Sequence, residues 1–362
     1  MVLGRTIYVF FKLLPTILAL RKDRVLWISN NGKDIDQKRF QKNAKRILNT
    51  CISLGPVYIK FGQWLSSRAD ILPQPYLEEL SKLQDSVPPV PFDKVQPIIE
   101  ESIGNIQEKF DDLDRIALSG ASLGQVYKAT KDGQKVIVKV KRPGIEKMVE
   151  EDLKVLMKII PFAMRFVDPN LRFSIIPIMK QFVESIHEEM DYSKELENLK
   201  KIKQNMEPYG NVVIPNVHED YSTKNVITME YIPGIKVTNV QELDKMGIDR
   251  QKLVIDVHKV FFTMLLKHSI FHADPHPGNI SVKDDGTLIL YDFGMIGRLD
   301  NETRLRLVRL YLALVEKDPP RTVNAMDDLG MLSPDINRDI IEKGIEMSIK
   351  SMYGKKPDEM EV

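Results

Sequence analysis

The sequence predicts an α+β protein with two lobes and a helical extension at its N-terminus. Segments rich in β-branched residues gather early, where IALSGASLGQVYKAT (116–130) and KVIVKVKRP (135–143) are typical of strands. Long helical patterns follow at 145–167 and 173–206, and the tail from 302 to 353 is again mostly helical. A small strand-rich lobe followed by a larger helical lobe is a common layered arrangement of two cores.

Length and charge set the outer limits of function. The chain has 362 residues, which is enough for two or three lobes with separate cores. Lysine and arginine total 52 against 51 aspartates and glutamates, so the global charge does not favour nucleic acid and we expect no such partner. The single cysteine, Cys51, excludes a disulfide within the chain and is compatible with a reducing compartment.

Residues 1–30 form a segment of their own. Its apolar run from Ile7 to Leu20 is interrupted by Lys12 and Pro15, and it is too short for a comfortable membrane span. No small-residue cleavage site of a secretory signal follows it. The flanking cations suit an amphipathic helix that lies on an anionic membrane surface: Arg5, Arg21, Lys22 and Arg24. The alternative is a terminal helix that packs on its own protein or on a partner.

The next segments divide the chain further. Residues 36–85 have the polar–apolar pattern of helices, with one helix ending before Pro73, and VPPVPFD (87–93) is a stiff connector. A short helix is predicted at 93–103. We therefore predict four parts: 1–30, a helical extension at 31–92, a first lobe with long inserted helices at 93–232, and a second lobe at 233–362.

The remaining patterns place a hairpin near the end of the chain. VVIPNV (212–217) and VITMEYI (226–232) are strand-like, and Pro233-Gly234 ends the second. A helix is predicted at 250–269. ISVKDDGTLIL (280–290) is a strand–turn–strand pattern with Asp285-Gly286 at its tip.

The stretch FHADPHPGNISVKDDGTLILYDFG (271–294) has the groups that phosphoryl transfer needs. That chemistry requires a bound polyphosphate, a lysine, one or two divalent ions and an oriented acceptor. Asp274 is the candidate carboxylate on the acceptor side, Asn279 lies five residues later, and Asp292 opens an Asp-Phe-Gly tripeptide. Carboxylate and amide oxygens suit Mg²⁺. The Asp274–Asn279 spacing and the Asp-Phe-Gly tripeptide are each weak evidence for this chemistry. Together, joined by a hairpin, they are much stronger evidence.

The upstream half of such a site is also present. Lys139 stands late in the strand-like VIVK, where a kinase lysine pairs with the α- and β-phosphates. Glu195, on a long predicted helix, offers the anion that would orient it. The alternative is that Lys139 is a solvent-facing charge on an edge strand. The order of Lys139, Glu195, Asp274, Asn279 and Asp292 favours phosphoryl transfer.

The histidines of this stretch allow a second interpretation. His272, Asp274 and His276 could ligate a transition metal. Pro275 and Pro277 interrupt the spacing, so no regular helix aligns the two rings. We favour a structural role in which the imidazoles hydrogen-bond and brace the turn.

The sequence resembles the UbiB/AarF-type atypical kinases, which are associated with quinone and isoprenoid lipid metabolism. Four motifs carry the resemblance over roughly residues 35–330: KFGQ (60–63), SGASLGQV (119–126), EMDYSKELEN (189–198), and HADPHPGN (272–279) followed by YDFG. The resemblance implies an atypical protein-kinase-like two-lobe fold with a helical N-terminal extension, and it implies ATP or ADP together with Mg²⁺ as cofactors.

The resemblance also implies roles for individual residues. Lys139 would pair with Glu195, Asp274 would take the catalytic-loop position, and Asn279 and Asp292 would hold Mg²⁺. Three residues of the loop that replaces a glycine-rich loop would lie over the phosphates: Ala121, Ser122 and Gln125. In VITMEYIPG, the backbone from Glu230 to Ile232 falls where kinase lobes hinge, and it is the natural partner for an adenine edge.

The KFGQ motif is implied to gate the site. Lys60 and Gln63 would reach into the space where a protein kinase accepts its peptide, and Glu189 and Asp191 would hold Lys60 by charge-assisted hydrogen bonds. A buried lysine needs such a counter-charge. The alternative is an ordinary amphipathic helix that keeps Lys60 at the surface.

These observations lead to an expected function. We expect an Mg²⁺-dependent ATPase or kinase, cytoplasmic and peripheral to the inner face of a membrane, that acts in isoprenoid lipid or quinone biosynthesis. Expected partners are the nucleotide, a lipid-like substrate, the membrane surface and proteins of lipid biosynthesis. A soluble small-molecule kinase and a nucleotide-sensing scaffold with little turnover are the alternatives.

Overall fold

A computed structural model describes residues 2–30, 32–33, 35–68, 71–85, 88–163, 169–332 and 336–352. The chain forms two compact units. Unit 1 comprises Met1–Lys200, Ile214–Gly234 and Tyr291–Met295. Unit 2 comprises Lys201–Val213, Ile235–Leu290 and Ile296–Val362. The Asp-Phe-Gly tripeptide therefore groups with unit 1, although its sequence position lies in the predicted second lobe.

The helices and strands are numbered in chain order. The helices are α1 (Val2–Ser29), α2 (Gln37–Leu54), α3 (Pro56–Ser66), α4 (Gln74–Ser81), α5 (Phe92–Ile103), α6 (Ile106–Lys109), α7 (Ile145–Ala163), α8 (Pro169–Glu189), α9 (Tyr192–Met206), α10 (Val240–Lys245), α11 (Arg250–Lys267), α12 (Asn301–Val315), α13 (Pro319–Asp328) and α14 (Arg338–Met352). The strands are β1 (Asp112–Leu113), β2 (Ser119–Gly120), β3 (Gly124–Lys131), β4 (Gln134–Lys141), β5 (Val212–Val213), β6 (Val226–Glu230), β7 (Ile235–Lys236), β8 (Ile270–His272), β9 (Ile280–Val282), β10 (Leu288–Leu290) and β11 (Ile296–Arg298).

The N-terminal part of unit 1 is a helical layer. Helices α1 to α4 share a core with α7 and α8, in which Phe40, Tyr58 and Tyr76 are almost fully buried. The prediction that a helix ends before Pro73 is confirmed, because α3 ends at Ser66 and Pro73 caps the start of α4. Proline suits this position because it cannot donate the hydrogen bond that a helix interior requires.

Buried ion pairs fasten α1 to this layer. The fully buried carboxylate of Asp23 accepts hydrogen bonds from Arg39 (2.5 Å) and from the Tyr76 hydroxyl (2.8 Å). Nε of Arg5 donates to the buried Asp152 on α7 at 2.8 Å. One face of α1 therefore packs on its own protein. The prediction that Arg5 flanks a membrane-facing run is wrong, because the Asp152 carboxylate holds it in the protein.

The sheet of unit 1 has the order β1-β3-β4-β6, with β2 paired to β3, and these pairings are antiparallel. The strands predicted at 116–143 and 226–232 are confirmed as β2 to β4 and β6, and the predicted helix at 93–103 is confirmed as α5. Helix α5 packs on this sheet through Val95 and Ile99, which share a core with Val138 and Val140 of β4. The site described below lies along β4.

The single helix predicted at 173–206 is wrong. The chain forms α8 and α9, and Asp191 stands between them with its carboxylate accepting the Ser193 N–H at 3.0 Å. A carboxylate at a helix start satisfies a backbone donor that has no partner within the helix. The helix predicted at 145–167 begins as expected at Ile145. Its predicted end at residue 167 lies among residues 164–168, which are outside the described residues.

Unit 2 contains a sheet of order β5-β10-β9-β7 and a separate β8–β11 ladder, together with helices α10 to α14. The predicted hairpin is confirmed: β9 and β10 are antiparallel, with Leu288 opposite Val282. Gly286 at its tip has a φ of +86°, which glycine adopts without strain. The helix predicted at 250–269 is confirmed as α11.

Candidate active site

A buried ion pair joins β4 to α9 in unit 1. Nζ of Lys139 lies 2.9 Å from each carboxylate oxygen of Glu195, whose side chain is only 2% exposed. Lys139 pairs with Ile227 in the register of β4 and β6, so it stands on a central part of the sheet. The alternative of a solvent-facing charge on an edge strand is therefore wrong.

The tripeptide Asp292-Phe293-Gly294 reaches the same lysine. The Asp292 carboxylate lies 3.5 Å from Nζ of Lys139 and is 44% exposed, whereas the Phe293 ring is buried. Asp292 has a φ of +56° and accepts the Gly294 N–H at 3.1 Å. Aspartate tolerates this left-handed conformation because its short side chain can bond to the neighbouring backbone. The tripeptide thus presents one carboxylate toward Lys139 and buries its phenylalanine.

Sequence reasoning missed a residue that positions this tripeptide. Asn198 on α9 is buried, and its amide donates to the Phe293 carbonyl at 3.2 Å. Residues three apart on a helix point to the same side. Helix α9 therefore contacts Lys139 through Glu195 and the tripeptide through Asn198. The spacing of Glu195 and Asn198 is the signal that could have identified it.

The electrostatics of the pair follow from burial and from nearby carboxylates. Burial opposes the positive charge on Lys139, but Asp292 and Glu195 outweigh it and raise the pKa of the lysine well above its usual value. Burial also raises the pKa of Glu195, and Lys139 offsets this only in part. Lys139 therefore favours the charged form of the carboxylate, against the effect of burial.

Lys60 of α3 enters the same cluster. Its ammonium forms an ion pair with Glu189 at the end of α8. Burial lowers the pKa of Lys60, while the negative charges of Glu189 and then Asp292 raise it, and the net effect is a raised pKa. Asp292 is thus within electrostatic reach of both Lys60 and Lys139. The alternative, in which α3 keeps Lys60 at the surface, is wrong because Lys60 is only 21% exposed and is paired with Glu189.

The other two residues predicted to gate the site have different roles in the structure. Asp191 caps α9, and no hydrogen bond or ion pair joins it to Lys60 among the described residues. Its predicted contact with Lys60 is wrong. The Gln63 amide donates to the Leu83 carbonyl at 3.1 Å and so ties α3 to the 3-10 turn Lys82–Asp85. Gln63 acts here as a link within the extension.

The turn between β2 and β3 contains the predicted phosphate-binding residues. The Ala121 N–H donates to the Gly124 carbonyl at 2.9 Å, which closes a tight turn, and Ser122 is buried within it. Gln125 is fully buried, and its amide bonds to both backbone groups of Val90, at 2.8 and 3.0 Å. The prediction that Gln125 lies over the phosphates is therefore wrong: it fastens the proline-rich connector to β3.

Gly124 permits a close approach at the end of this turn. A Cβ atom there would lie 2.2 Å from the Tyr192 hydroxyl oxygen and 2.7 Å from the Val140 carbonyl oxygen. The Tyr192 hydroxyl is buried with no hydrogen-bond partner among the described residues, and its ring lies 5.2 Å from Nζ of Lys139. Only glycine allows the strand, Tyr192 and the turn to pack this closely.

We expect Gly124→Ala to lower the free energy of unfolding by about 1–3 kcal/mol, because strand backbone must move to admit the methyl group. Urea denaturation measures this change. Gly210→Ala is the control, since a Cβ at Gly210 would meet nothing within 4 Å. Adding Tyr192→Phe to the Gly124 variant should recover part of the loss by removing the nearer oxygen. Equal stability of Gly124→Ala and wild type would contradict the packing described.

The predicted hinge lies at the end of β6. The Ile232 carbonyl accepts a hydrogen bond from the Tyr291 hydroxyl at 3.0 Å, while the Glu230 N–H donates to the Asn216 carbonyl at 2.8 Å. No acceptor for the Ile232 N–H is present among the described residues. Of the two predicted positions, the Glu230 N–H is therefore already used, whereas the Ile232 N–H has no acceptor in this part of the structure.

In unit 2, the loop between β8 and β9 brings Asp274 and Asn279 together. The Asn279 amide donates to the Asp274 carboxylate at 2.7 Å. Nδ1 of His272 accepts the Asp274 N–H at 3.1 Å, and Nδ1 of His276 accepts the Gly278 N–H at 3.0 Å. Both imidazoles thus bond to the turn backbone, which is the bracing role favoured above. The carboxylate and amide form one polar pair on a stiff loop.

The donor types at Asp292 and Asn279 fit Mg²⁺. The described residues include no group of three or more His, Cys, Asp or Glu side chains that could form a protein-only metal cage. Mg²⁺ is commonly held by one or two protein oxygens together with water and substrate phosphates, so a cage is not required. Asp292 in unit 1 offers a partly exposed carboxylate and Asn279 in unit 2 an amide oxygen, and their assignment to Mg²⁺ stays a prediction.

Comparison with known proteins identifies the family. The ABC1 atypical kinase-like domain matches residues 82–326. The chain belongs to this family. It is 38% identical over 322 residues to Protein ACTIVITY OF BC1 COMPLEX KINASE 8, chloroplastic, of Arabidopsis thaliana, covering 85% of this chain and 42% of that protein. It is 36% identical over 306 residues to the probable protein kinase UbiB of Marinobacter nauticus, covering 83% and 56%.

The chain spans about half the length of these curated ABC1 relatives. Among solved structures, it resembles the Rv3197 protein of Mycobacterium tuberculosis, described in complex with erythromycin, with a TM-score of 0.59 and 24% identity. That match covers 80% of this chain and 74% of the solved one. At this level of identity the likeness concerns the fold alone. The predicted family and the α+β kinase-like fold are therefore confirmed.

Proposed function

We propose that this ABC1-family protein is an Mg²⁺-dependent, ATP-binding atypical kinase or ATPase. One observation carries the proposal: Nζ of Lys139 lies 2.9 Å from both oxygens of the buried Glu195 and 3.5 Å from Asp292. Kinases require a lysine–glutamate ion pair and a metal-binding aspartate for phosphoryl transfer. The burial of this ion pair also favours a functional role. A buried ion pair often adds no net stability, so stabilisation of the fold does not readily explain it.

Each residue has a role in this proposal. Lys139, oriented by Glu195, binds the α- and β-phosphates, and the turn at Ala121 and Ser122 covers them. Asp274 orients the acceptor hydroxyl or the attacking water. Asp292 and Asn279 hold Mg²⁺, which neutralises charge on the phosphates when bound. The backbone near Ile232 receives the adenine.

We propose that Lys60 restrains this site. Its positive charge lies within electrostatic reach of Asp292, so it competes with a metal ion for the same carboxylate. The five charged groups of the cluster are Lys60, Lys139, Glu189, Glu195 and Asp292, and two cations against three anions leave a net charge of −1. A single divalent ion reverses that sign, which weakens the hold on Lys60.

We further propose a membrane surface as the place of action. The prediction that this segment is too short to span a membrane is wrong, since helix α1 is long and apolar enough by length and composition. One of its faces, however, is fixed by Arg5–Asp152 and by the buried Asp23. A helix held along its length by unit 1 suits the surface of a bilayer better than its interior. Its exposed apolar side chains point away from the protein: Leu3, Ile7, Phe11, Leu18 and Val25.

The exposed cations Lys12, Arg21 and Lys22 on α1 favour anionic lipid. The resemblance to UbiB/AarF-type kinases supports a substrate in isoprenoid lipid or quinone biosynthesis. One relative is chloroplastic by name and others are bacterial. We propose a cytoplasmic location at the inner face of the membrane, with lipid-biosynthesis proteins as partners.

We expect Phe11→Glu to lower binding to anionic vesicles at least tenfold, because a charge replaces the apolar side chain that would enter the lipid. Vesicle flotation with phosphatidylglycerol measures the change. Ile116→Glu is the control, since Ile116 is even more exposed than Phe11 (85% against 67%) but lies far along the chain in the strand-rich part. Equal binding by Phe11→Glu and wild type would exclude α1 as the lipid contact.

Hydrolysis of ATP by the purified protein tests the proposed function. We expect turnover that requires Mg²⁺ and rises with anionic vesicles. Phosphorylation of a water-soluble alcohol without vesicles would instead support the soluble small-molecule kinase. Nucleotide binding by calorimetry with no turnover in either condition would support the nucleotide-sensing scaffold.

A further inference from the structure

A cavity of about 400 Å³ lies in unit 1, apart from the Lys139 cluster. Its walls come from four places: the end of α2 and start of α3, the proline-rich connector at 88–90, the first turn of α5, and the segment from the end of β4 into the start of α7. A volume of this size is within the range of small-molecule sites. The proposed function gives this cavity no role.

The walls are mainly apolar. Ile52 on α2 and Met148 on α7 both line the cavity, and both are about two-fifths exposed. Pro56, Ile59 and Pro143 also belong to the apolar lining. Apolar side chains that line a concave surface gain free energy when an apolar ligand removes them from water. The cavity therefore suits a hydrocarbon tail.

The charged side chains that line this cavity in the described structure are positive. Two of its described lining residues are cations, Arg142 and Lys94, and none of them is an acid. Arg142 is fixed in place, because its guanidinium donates to the Ala121 carbonyl and to the Pro88 carbonyl, each at 3.0 Å. Its planar head forms charge-assisted hydrogen bonds with carboxylate or phosphate oxygens. Arg142 therefore places a fixed positive charge beside an apolar wall.

We propose that this cavity binds an amphiphile with one hydrocarbon tail and an anionic head group, with the tail against the apolar lining that includes Ile52 and Met148 and the head at Arg142 and Lys94. Carboxylate and phosphate heads share the required chemistry. Because Arg142 also donates to the Ala121 carbonyl, it would connect the bound head group to the turn between β2 and β3.

Calorimetric titration without nucleotide tests this site, so its result is independent of whether the protein hydrolyses ATP. The probes are decyl phosphate, decanoate, decanol and decyltrimethylammonium, each below its micelle concentration, which share one tail and differ in the head. We expect the two anions to bind at least tenfold more tightly than the alcohol, and the cation to bind most weakly. The order of the two anions then tells phosphate from carboxylate ligands. Equal binding of the anionic and cationic probes, or no binding of the anions, would overturn the proposal.

Matched variants on α7 locate the site. Met148→Glu places a negative charge in the wall and should weaken decyl phosphate binding at least tenfold. Met157→Glu is the control, since Met157 lies on the same helix with the same 44% exposure but outside this cavity. If Met148→Glu fails to fold by circular dichroism, Ile52→Glu replaces it, since Ile52 lines the same cavity from α2. Equal losses in the wall variant and in Met157→Glu would overturn the proposed location.

Discussion

Asp292→Asn is expected to lower Mg²⁺-dependent ATP hydrolysis by roughly 10²–10³-fold, the loss typical of removing one preorganised electrostatic group from a reaction site. The substitution keeps the shape of the side chain and removes its negative charge. An amide is a weaker Mg²⁺ ligand than a carboxylate, so both metal affinity and turnover should fall. The measurement is the initial rate as a function of Mg²⁺ concentration.

This variant should fold normally, which makes the result interpretable. Asparagine tolerates the φ of +56° at this position as well as aspartate does, and its side-chain oxygen can still accept the Gly294 N–H. Asp285→Asn is the control, because it removes the same charge from the exposed hairpin tip. Wild-type turnover by Asp292→Asn would show that the metal site has been placed on the wrong residue.

Lys139→Met is expected to destabilise the protein by about 3–5 kcal/mol, because it leaves the buried carboxylate of Glu195 without its partner. Urea denaturation at neutral pH measures the loss. Replacing both residues, in Lys139→Met with Glu195→Met, should recover most of it, since two packed apolar side chains need no counter-charge. A single variant as stable as wild type would contradict the buried pair.

The neighbouring lysine of β4 is the matched control. Lys141 is also buried, and it lies 2.9 Å from Glu146, but that glutamate side chain is 58% exposed against 2% for Glu195. Water can hydrate Glu146 when its partner is removed. We therefore expect Lys141→Met to cost only about 1–2 kcal/mol, from the loss of an exposed pair and of the hydrogen bond to Asn225.

The loss in Lys139→Met should depend on pH. Burial raises the pKa of Glu195 above its value of 4.5 in the unfolded chain, and without Lys139 it rises further. The native state then holds a proton that the unfolded state releases, so the free energy of unfolding falls as pH rises above about 4.5. In the wild type Lys139 offsets part of the effect of burial on the pKa of Glu195, so the same fall is smaller there, and Lys139 itself titrates far above this range. The variant should therefore be closer to wild type at pH 5 than at pH 8, which denaturation at both values measures.

Residue patterns along the chain are enough to predict the family, the main strands and helices, and the residue types of the site. Lys139, Glu195 and Asp292 were identified by their order along the chain, and the structure brings these three together within unit 1. This order can be recognised in the sequence because the residues around the lysine, the glutamate and the aspartate have the local patterns of a strand, a helix and a turn. Asp274 and Asn279 were found in the same way and are bonded to each other in unit 2.

The partners of other polar side chains depend on long-range contacts that residue patterns do not reveal. Gln125 and Asp191 lie in motifs that suggest a site, yet one bonds to Val90 and the other caps α9. Both outcomes depend on backbone donors and acceptors that need partners once they are buried, and a sequence does not show which of them lack one. Asn198 was missed for the same reason, because its partner, the Phe293 carbonyl, lies 95 residues away. The order of the motifs shows which polar side chains are available to form a site. Which of them bond to the backbone instead depends on where the fold buries backbone donors and acceptors that need a partner.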